Sequence, residues 1–232
     1  MPRPIIIAHR GASGTCPENT LLAFRRALEV GAEWLELDTQ LVENELVVFH
    51  DDALDRTTNA QGLLSEISLA DLRQLDAGQG EKIPFLHEVL TLAVGKAQVN
   101  VELKGVGTGK ATAVYLKKMF AQGKLAASDV LASSLRLEEL HCFQKLMPEV
   151  RRAPIYETLP SDFEAELKKF SCWSVHLHKS LITNRVIKMA AQQNSKVFAW
   201  TVNDLTEANH LARQGVAGFF TDIPERFIIR EG

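Results

Sequence analysis

Ala32-Glu33-Trp34-Leu35-Glu36-Leu37-Asp38-Thr39-Gln40 places two carboxylates, Glu36 and Asp38, on either side of one leucine. Side chains alternate faces along a strand, so Glu36 and Asp38 point one way while Leu35 and Leu37 point the other. An ordinary half-buried strand would send that polar face to water. A second stretch argues otherwise: in Val99-Asn100-Val101-Glu102-Leu103-Lys104, the residues Asn100, Glu102 and Lys104 stand opposite Val99, Val101 and Leu103. If both strands belong to a barrel whose outer, helix-facing surface is apolar, three carboxylates and a lysine converge at its inner mouth. The simplest reason to gather acids there is a divalent cation, and Glu36, Asp38 and Glu102 are read as its ligands. A lone Glu-x-Asp is more often a solvated strand face; the second acid-bearing strand of the same phase tips the balance.

Outward from these two strands the chain shows a strand-helix rhythm. Ile5-Ile6-Ile7-Ala8 is a short apolar run that reads as a buried parallel strand ending in His9-Arg10-Gly11-Ala12, where Gly11 permits a sharp turn. Pro17 suits a helix start, and Leu21, Leu22, Phe24, Ala27, Leu28 and Val30 form an apolar stripe that stops at Gly31. After Gln40 the run Leu41 to Asp51 turns tightly at Asn44, which forces an antiparallel hairpin. It therefore opens an insertion, at about residues 40–83, whose second strand brings His50 and Asp51 toward the mouth and whose remainder reads as a small lid with a short capped helix. From Pro84 the rhythm resumes. Helices are expected at about Phe85 to Val94, Gly109 to Gln122, Arg136 to Lys145, Ser161 to Phe170, Thr183 to Gln193 and Leu205 to Gln214. Strands fall near Gln98 to Lys104, Val130 to Ser133, Arg151 to Tyr156, Ser174 to His178, Lys196 to Val202 and Gly218 to Thr221. With those near residues 5–9 and 34–38 the count is eight, which predicts an α/β fold: a (β/α)8 TIM barrel, one domain over residues 1–232 with the insertion after its second strand. No Gly-x-Gly-x-x-Gly follows the first strand, so a dinucleotide site has no support.

Composition narrows the function classes. The 232 residues carry a formal charge of −3 with no long basic run, which gives nucleic acid or an anionic membrane no electrostatic support. The apolar run at the N-terminus is too short for a signal peptide or a spanning helix, so a cytoplasmic protein without stable membrane association is expected. Cys16, Cys142 and Cys172 are an odd number without close spacing, which fits reduced thiols.

A set of motifs then aligns in order. His9-Arg10-Gly11-Ala12, Pro17-Glu18-Asn19-Thr20, Glu36-x-Asp38, His50-Asp51, Arg56-Thr57-Thr58-Asn59, Glu102-x-Lys104, Trp200-Thr201-Val202-Asn203 and Gly218-Phe219-Phe220-Thr221-Asp222-x-Pro224 together resemble glycerophosphodiester phosphodiesterases, the compact bacterial cytoplasmic type in particular. The resemblance implies hydrolysis of glycerophosphodiesters, such as glycerophosphocholine or glycerophosphoethanolamine, to sn-glycerol 3-phosphate and an alcohol. It also implies one divalent metal ion, Mg²⁺ or Ca²⁺, held by Glu36, Asp38 and Glu102. By position, His9 and His50 would act as acid and base, and Arg10 and Lys104 would hold phosphate oxygens. Near-neutral imidazole pKa values suit that exchange of protons, and hard oxygen ligands suit those cations.

Competing readings attach to particular residues. His9 alone could be structural, Arg10 a surface ion pair, and His50-Asp51 the close of a turn. His176 and His178 share a strand face but take no role in the family pattern, and they read as barrel-interior or mouth residues. Trp200, at a strand's C-terminal end, is read equally as core and as substrate-binding. A phospholipase-like phosphodiesterase would release a cyclic phosphate or act on bilayer lipid; an amidohydrolase would need His-x-His on the first strand, where this chain has His9-Arg10. A non-enzymatic binder would be expected to lack one of the acids or histidines. Head-group breadth is expected; oligomeric state and the order of acid and base are not legible.

Overall fold

The computed structural model describes residues 3–228. In chain order the first elements are β1 (Ile5–Ala8), α1 (Leu21–Glu29), β2 (Trp34–Val42), β3 (Glu45–Val48), α2 (Leu69–Leu72) and α3 (Leu86–Ala93). There follow β4 (Gln98–Leu103), α4 (Thr108–Ala121), β5 (Val130–Ser134), α5 (Leu137–Leu146), β6 (Arg151–Tyr156) and α6 (Phe163–Phe170). The last are β7 (Ser174–His178), α7 (Asn184–Gln192), β8 (Lys196–Trp200), α8 (Leu205–Gln214), β9 (Gly218–Thr221) and α9 (Pro224–Phe227). Every strand but β3 pairs in parallel, and β1 pairs with both β2 and β9, which closes the ring. This is a (β/α)8 barrel.

The period-2 pattern is resolved as the sequence implied. Leu35, Leu37, Val99, Val101 and Leu103 join the main apolar cluster with Phe24, Leu90, Leu116 and Phe143 of the surrounding helices. The inner face is packed by Ile7, Trp34, Leu131, Ala153, Phe198 and Phe220. Above this layer the inward positions turn polar, and the register sets Glu36 beside Asn100 and Asp38 beside Glu102 on adjacent strands.

β2 does not stop where the barrel needs it to. Its residues Thr39–Val42 continue into an antiparallel pairing with β3, so one strand serves both barrel and hairpin. The segment that follows packs on a small apolar cluster of its own, including Phe49, Leu54, Leu64, Leu72 and Ile83. Its one-turn helix α2 is capped by Ser68, whose hydroxyl accepts from the Asp71 N–H at 3.1 Å.

The expected helix start at Pro17 is corrected. α1 begins at Leu21 because Thr20 caps it, its hydroxyl accepting from Ala23 N–H at 3.2 Å. Pro17 belongs to the preceding loop, and its carbonyl accepts the Thr20 hydroxyl at 2.7 Å. A hydroxyl that satisfies an orphan helix N–H defines the terminus better than a ring that only fixes φ.

Gly11 ties this loop to the helix. It has φ +83°, and a Cβ there would lie 2.6 Å from the Ala23 carbonyl carbon, a backbone atom that cannot move aside. Gly11→Ala is therefore expected to cost about 2 kcal/mol or more of stability, seen as a lowered denaturation midpoint. An unchanged midpoint would contradict the contact.

Candidate active site

Glu36, Asp38 and Glu102 take inward positions of β2 and β4, and His9 and Lys104 directly follow β1 and β4, at the end where a barrel presents side chains to a common mouth. One oxygen from each of Glu36, Asp38 and Glu102 lies within 4.8 Å of the others. Glu36 and Asp38 are 2% and 1% exposed, and the Glu102 side chain is 13% exposed. Burial first, and then the neighbouring charges of Asp38 and Glu102, push the Glu36 carboxyl well above its ordinary range. Burial and Asp38 likewise push Glu102 up to about 7.

Two cations and an amide answer part of that charge. The Arg10 guanidinium Nε is 3.2 Å from Asp38 Oδ2, and the Arg10 backbone N–H donates to Glu36 Oε2 at 2.9 Å. Lys104 Nζ lies 3.4 Å from Glu102 Oε1 and 3.9 Å from Asp38 Oδ1. Asn19 donates from Nδ2 to Asp38 Oδ2 at 2.8 Å. Asn19 and Arg10 both have left-handed φ, +57° and +56°, so the turn after β1 is bent to aim these groups.

The two expected histidines flank the acids, each held through Nδ1. His9 Nδ1 is 2.7 Å from Asp222 Oδ1, and His50 Nδ1 is hydrogen-bonded to Asp51 Oδ1. Against partial burial, hydrogen bonds from His9, Asn203 and Ser13 hold Asp222 at about 2. Asp51 is held at about 2 chiefly by Arg56. Ionised carboxylates only accept, so in both rings the proton sits on Nδ1 and Nε2 is the nitrogen open to exchange. Burial lowers the His50 pKa below its ordinary value, ahead of the opposing pull of Asp38.

An open cavity of about 160 Å³ joins His9, Arg10, Glu36, His50, Glu102 and Lys104, and Trp200 also lines it. Asp38 stands behind it, at the back of the acid trio. His176 is 1% exposed in the barrel interior and is lowered to about 3 by burial; His178 is hydrogen-bonded to Ser180 at the rim at 2.7 Å.

The structure adds partners to which the sequence assigned no role. Arg56, in the segment after β3, forks onto two carboxylates: Nε and Nη2 meet Asp51 at 2.6 and 3.0 Å, and Nη1 and Nη2 meet Glu18 at 2.7 and 2.8 Å. Glu18 in turn accepts from Arg10 Nη1 at 2.8 Å. A chain of ionic hydrogen bonds thus runs from His50 through Asp51, Arg56 and Glu18 to Arg10. Asp222 carried a usable signal, since it directly follows β9 at the same end of the barrel as His9. Arg56 stood in the Arg56-Thr57-Thr58-Asn59 motif, but its partners, 5 and 38 residues away in loops, carried no signal.

Comparison with known proteins agrees with this geometry. The model of the glycerophosphoryl diester phosphodiesterase family matches residues 9–226. A glycerophosphodiester phosphodiesterase of Caldanaerobacter subterraneus is 33% identical over 99% of each chain, and one of Bacillus altitudinis is 32% identical over 97% of this chain and 98% of its own. Among solved structures, an Oleispira antarctica phosphodiesterase in complex with the product sn-glycerol-3-phosphate superposes with TM-score 0.89 at 33% identity, covering 97% of this chain and 95% of its own. A barrel with this acidic mouth, matched along nearly its whole length, belongs to the glycerophosphoryl diester phosphodiesterase family and is a phosphodiester hydrolase of that kind.

Proposed function

We propose that this chain, as one catalytic domain, hydrolyses glycerophosphodiesters such as glycerophosphocholine and glycerophosphoethanolamine to sn-glycerol 3-phosphate and an alcohol, with a divalent metal and two histidines. The observation that carries the reading is the placement of His9 and His50 in one cavity with Glu36 and Glu102 of the acid trio, each histidine with its Nδ1 proton bound to a carboxylate. One ring, neutral, accepts at Nε2 a proton from the attacking oxygen, while the other, entering as the imidazolium, delivers its Nε2 proton to the departing alcohol oxygen, whose poor leaving ability demands it. Arg10 and Lys104 face the same space and stabilise the non-bridging phosphate oxygens.

The trio fits a cation on its own chemistry. Three hard oxygen donors converge, and the carboxyls of Glu36 and Glu102 are pushed up by burial and by their acidic neighbours, so the protein's own cations leave the repulsion incompletely balanced. Mg²⁺ or Ca²⁺ suits such donors. When bound, such an ion supplies Lewis-acid charge to the phosphate oxygens and free coordination positions for substrate hydroxyls. No helix among the described residues is long and apolar enough to cross a membrane. We place the enzyme in the cytoplasm, acting on a small-molecule substrate and on neither nucleic acid nor bilayer.

The test is a coupled assay with glycerophosphocholine, detecting sn-glycerol 3-phosphate by its dehydrogenase, with and without EDTA. Turnover that EDTA abolishes and Mg²⁺ or Ca²⁺ restores is expected. Activity that survives complete chelation would remove the metal, and no glycerol phosphate under either ion would remove the function.

The raised carboxyls give a pH signature with a definite sign. A Glu102 held at about 7 in the fold, against about 4.3 unfolded, binds more protons when native, so metal-free stability falls as pH rises across that window. A cation relieves this where the trio is charged. The rise in melting temperature on adding Ca²⁺ or Mg²⁺ should therefore be larger near pH 8 than near pH 5.5; equal shifts would count against the site.

Arg56 is a positioning residue in this scheme, holding Asp51 behind His50 and Glu18 behind Arg10. Arg56→Ala should lower kcat on the order of tenfold. Adding it to Asp51→Asn should cost much less than the product of the two losses, because both act through the same contact. Fully multiplicative losses would show that Arg56 does not work through Asp51.

A further inference from the structure

The cavity has two unlike halves. The side built by β1, β2, β4 and the segment after β3 contributes His9, Arg10, Glu36, His50, Glu102 and Lys104, all ionisable and interlinked. The side built from β5 to β9 is different in kind. It offers Leu135, Ile155, Trp200 and Phe220, with His176 kept neutral by burial. One charged side chain lines that half: Glu157, the residue directly after β6.

Glu157 is exposed, and among the described residues its carboxylate has neither a hydrogen-bond nor an ion-pair partner. The acids of the opposite half are all in contact with Arg10 or Lys104. The basic residues that follow β5 and β7 are turned elsewhere. Arg136 donates to the Lys104 carbonyl at 2.9 Å and approaches Glu138, and Lys179 pairs with Glu207 at 2.8 Å. An unpaired carboxylate at a cavity rim leaves a negative potential with no protein cation to cancel it.

Depth decides which part of a substrate meets it. The floor is closed by Asn100, His176 and Phe220, which are 1%, 1% and 3% exposed. The rim at Leu135, 41% exposed, and Glu157 is open. Once the phosphate occupies the ionic half, a departing alcohol of variable size can extend only across that rim. There it passes the Trp200 ring, which His178 holds edge-on at 5.2 Å between centroids. A carboxylate and an indole lining one cavity are the combination that attracts an alkylammonium group, by charge and by the ring's quadrupole. A neutral polyol gains neither.

We propose that Glu157 and Trp200 form a head-group subsite that favours diesters whose leaving alcohol carries an ammonium group, such as a choline or ethanolamine ester, over those with a neutral polyol. This rests on the phosphodiesterase reading above and specifies the substrate within it. The preference is graded, because the rim is open and water screens the carboxylate.

The test compares kcat/KM for glycerophosphocholine and for glycerophosphoglycerol in the wild type, Glu157→Gln and Glu157→Lys. The wild type should prefer the choline ester. Glu157→Gln should reduce the choline-to-glycerol ratio about fivefold, mainly through KM, and Glu157→Lys should reduce it further. A ratio that stays constant through both variants, whether or not overall rates fall, overturns the subsite and leaves the hydrolase intact. A wild type that prefers the neutral ester does the same. A wild type inactive on both diesters with Mg²⁺ or Ca²⁺ present overturns the phosphodiesterase reading and the subsite with it.

Discussion

Glu36→Gln is expected to lower kcat/KM on glycerophosphocholine by roughly 10³-fold while leaving the fold intact. The reasoning separates two jobs of one side chain. As a carboxylate, Glu36 gives the trio one of its three charges, and Lewis-acid stabilisation of a phosphoryl oxygen is worth several kcal/mol of barrier, at about 1.4 kcal/mol per tenfold. As an acceptor, Glu36 Oε2 receives the Arg10 backbone N–H at 2.9 Å, and a glutamine carbonyl can receive it equally well. The isosteric change also removes a buried charge that its neighbours resist. The metal-free variant should therefore melt no lower than the wild type, yet show little or no rise in melting temperature on adding Ca²⁺ or Mg²⁺. A variant that keeps wild-type kcat/KM would sink the ligand assignment; one that melts far lower would show that Glu36 is chiefly structural.

The second large effect concerns the histidines. His9→Ala and His50→Ala should each lower kcat by roughly 10²- to 10⁴-fold, the usual range for a positioned acid or base, with a smaller change in KM. Neither ring belongs to the acid trio, so both variants should still show the metal-induced rise in melting temperature. The pair acts as one unit, and the double variant should be little worse than the poorer single one. A p-nitrophenyl ester of glycerol phosphate distinguishes their roles. Its alcohol leaves without protonation, so the variant that recovers most on it has lost the acid. If either single variant retains full activity on glycerophosphocholine, the two-histidine scheme fails.

These expectations rest on features of unequal visibility. The Glu36-x-Asp38 and Glu102-x-Lys104 alternations are local, since inward and outward positions repeat every second residue whatever the strand pairs with. Their outward leucines and valines meet helices and their inward acids meet one another. The extension of β2 into the hairpin was less legible, because Thr39–Val42 is equally good strand sequence on either side of the barrel's edge. The start of α1 was misread at Pro17 because two N-terminal signals compete within four residues, and only the hydroxyl contact to Ala23 shows which one acts. Asp222 was visible by its position after β9 but not by its partner, which stands 213 residues earlier.

What the sequence determined by itself was periodicity: eight apolar strands alternating with amphipathic helices, and polar groups gathered at strand ends, among them the candidate acids, both histidines, Arg10 and Lys104. What only the tertiary structure decided was adjacency. Closing the ring sets β1 between β2 and β9, and that places His9 against Asp222 on one side and Glu36 on the other. The segment after the hairpin then folds Arg56 back onto Glu18 and Asp51, and β6 carries Glu157 to the open rim opposite the ionic half. Backbone alternation is a property of neighbours along the chain, whereas a partner across the barrel is chosen by strand register and ring closure.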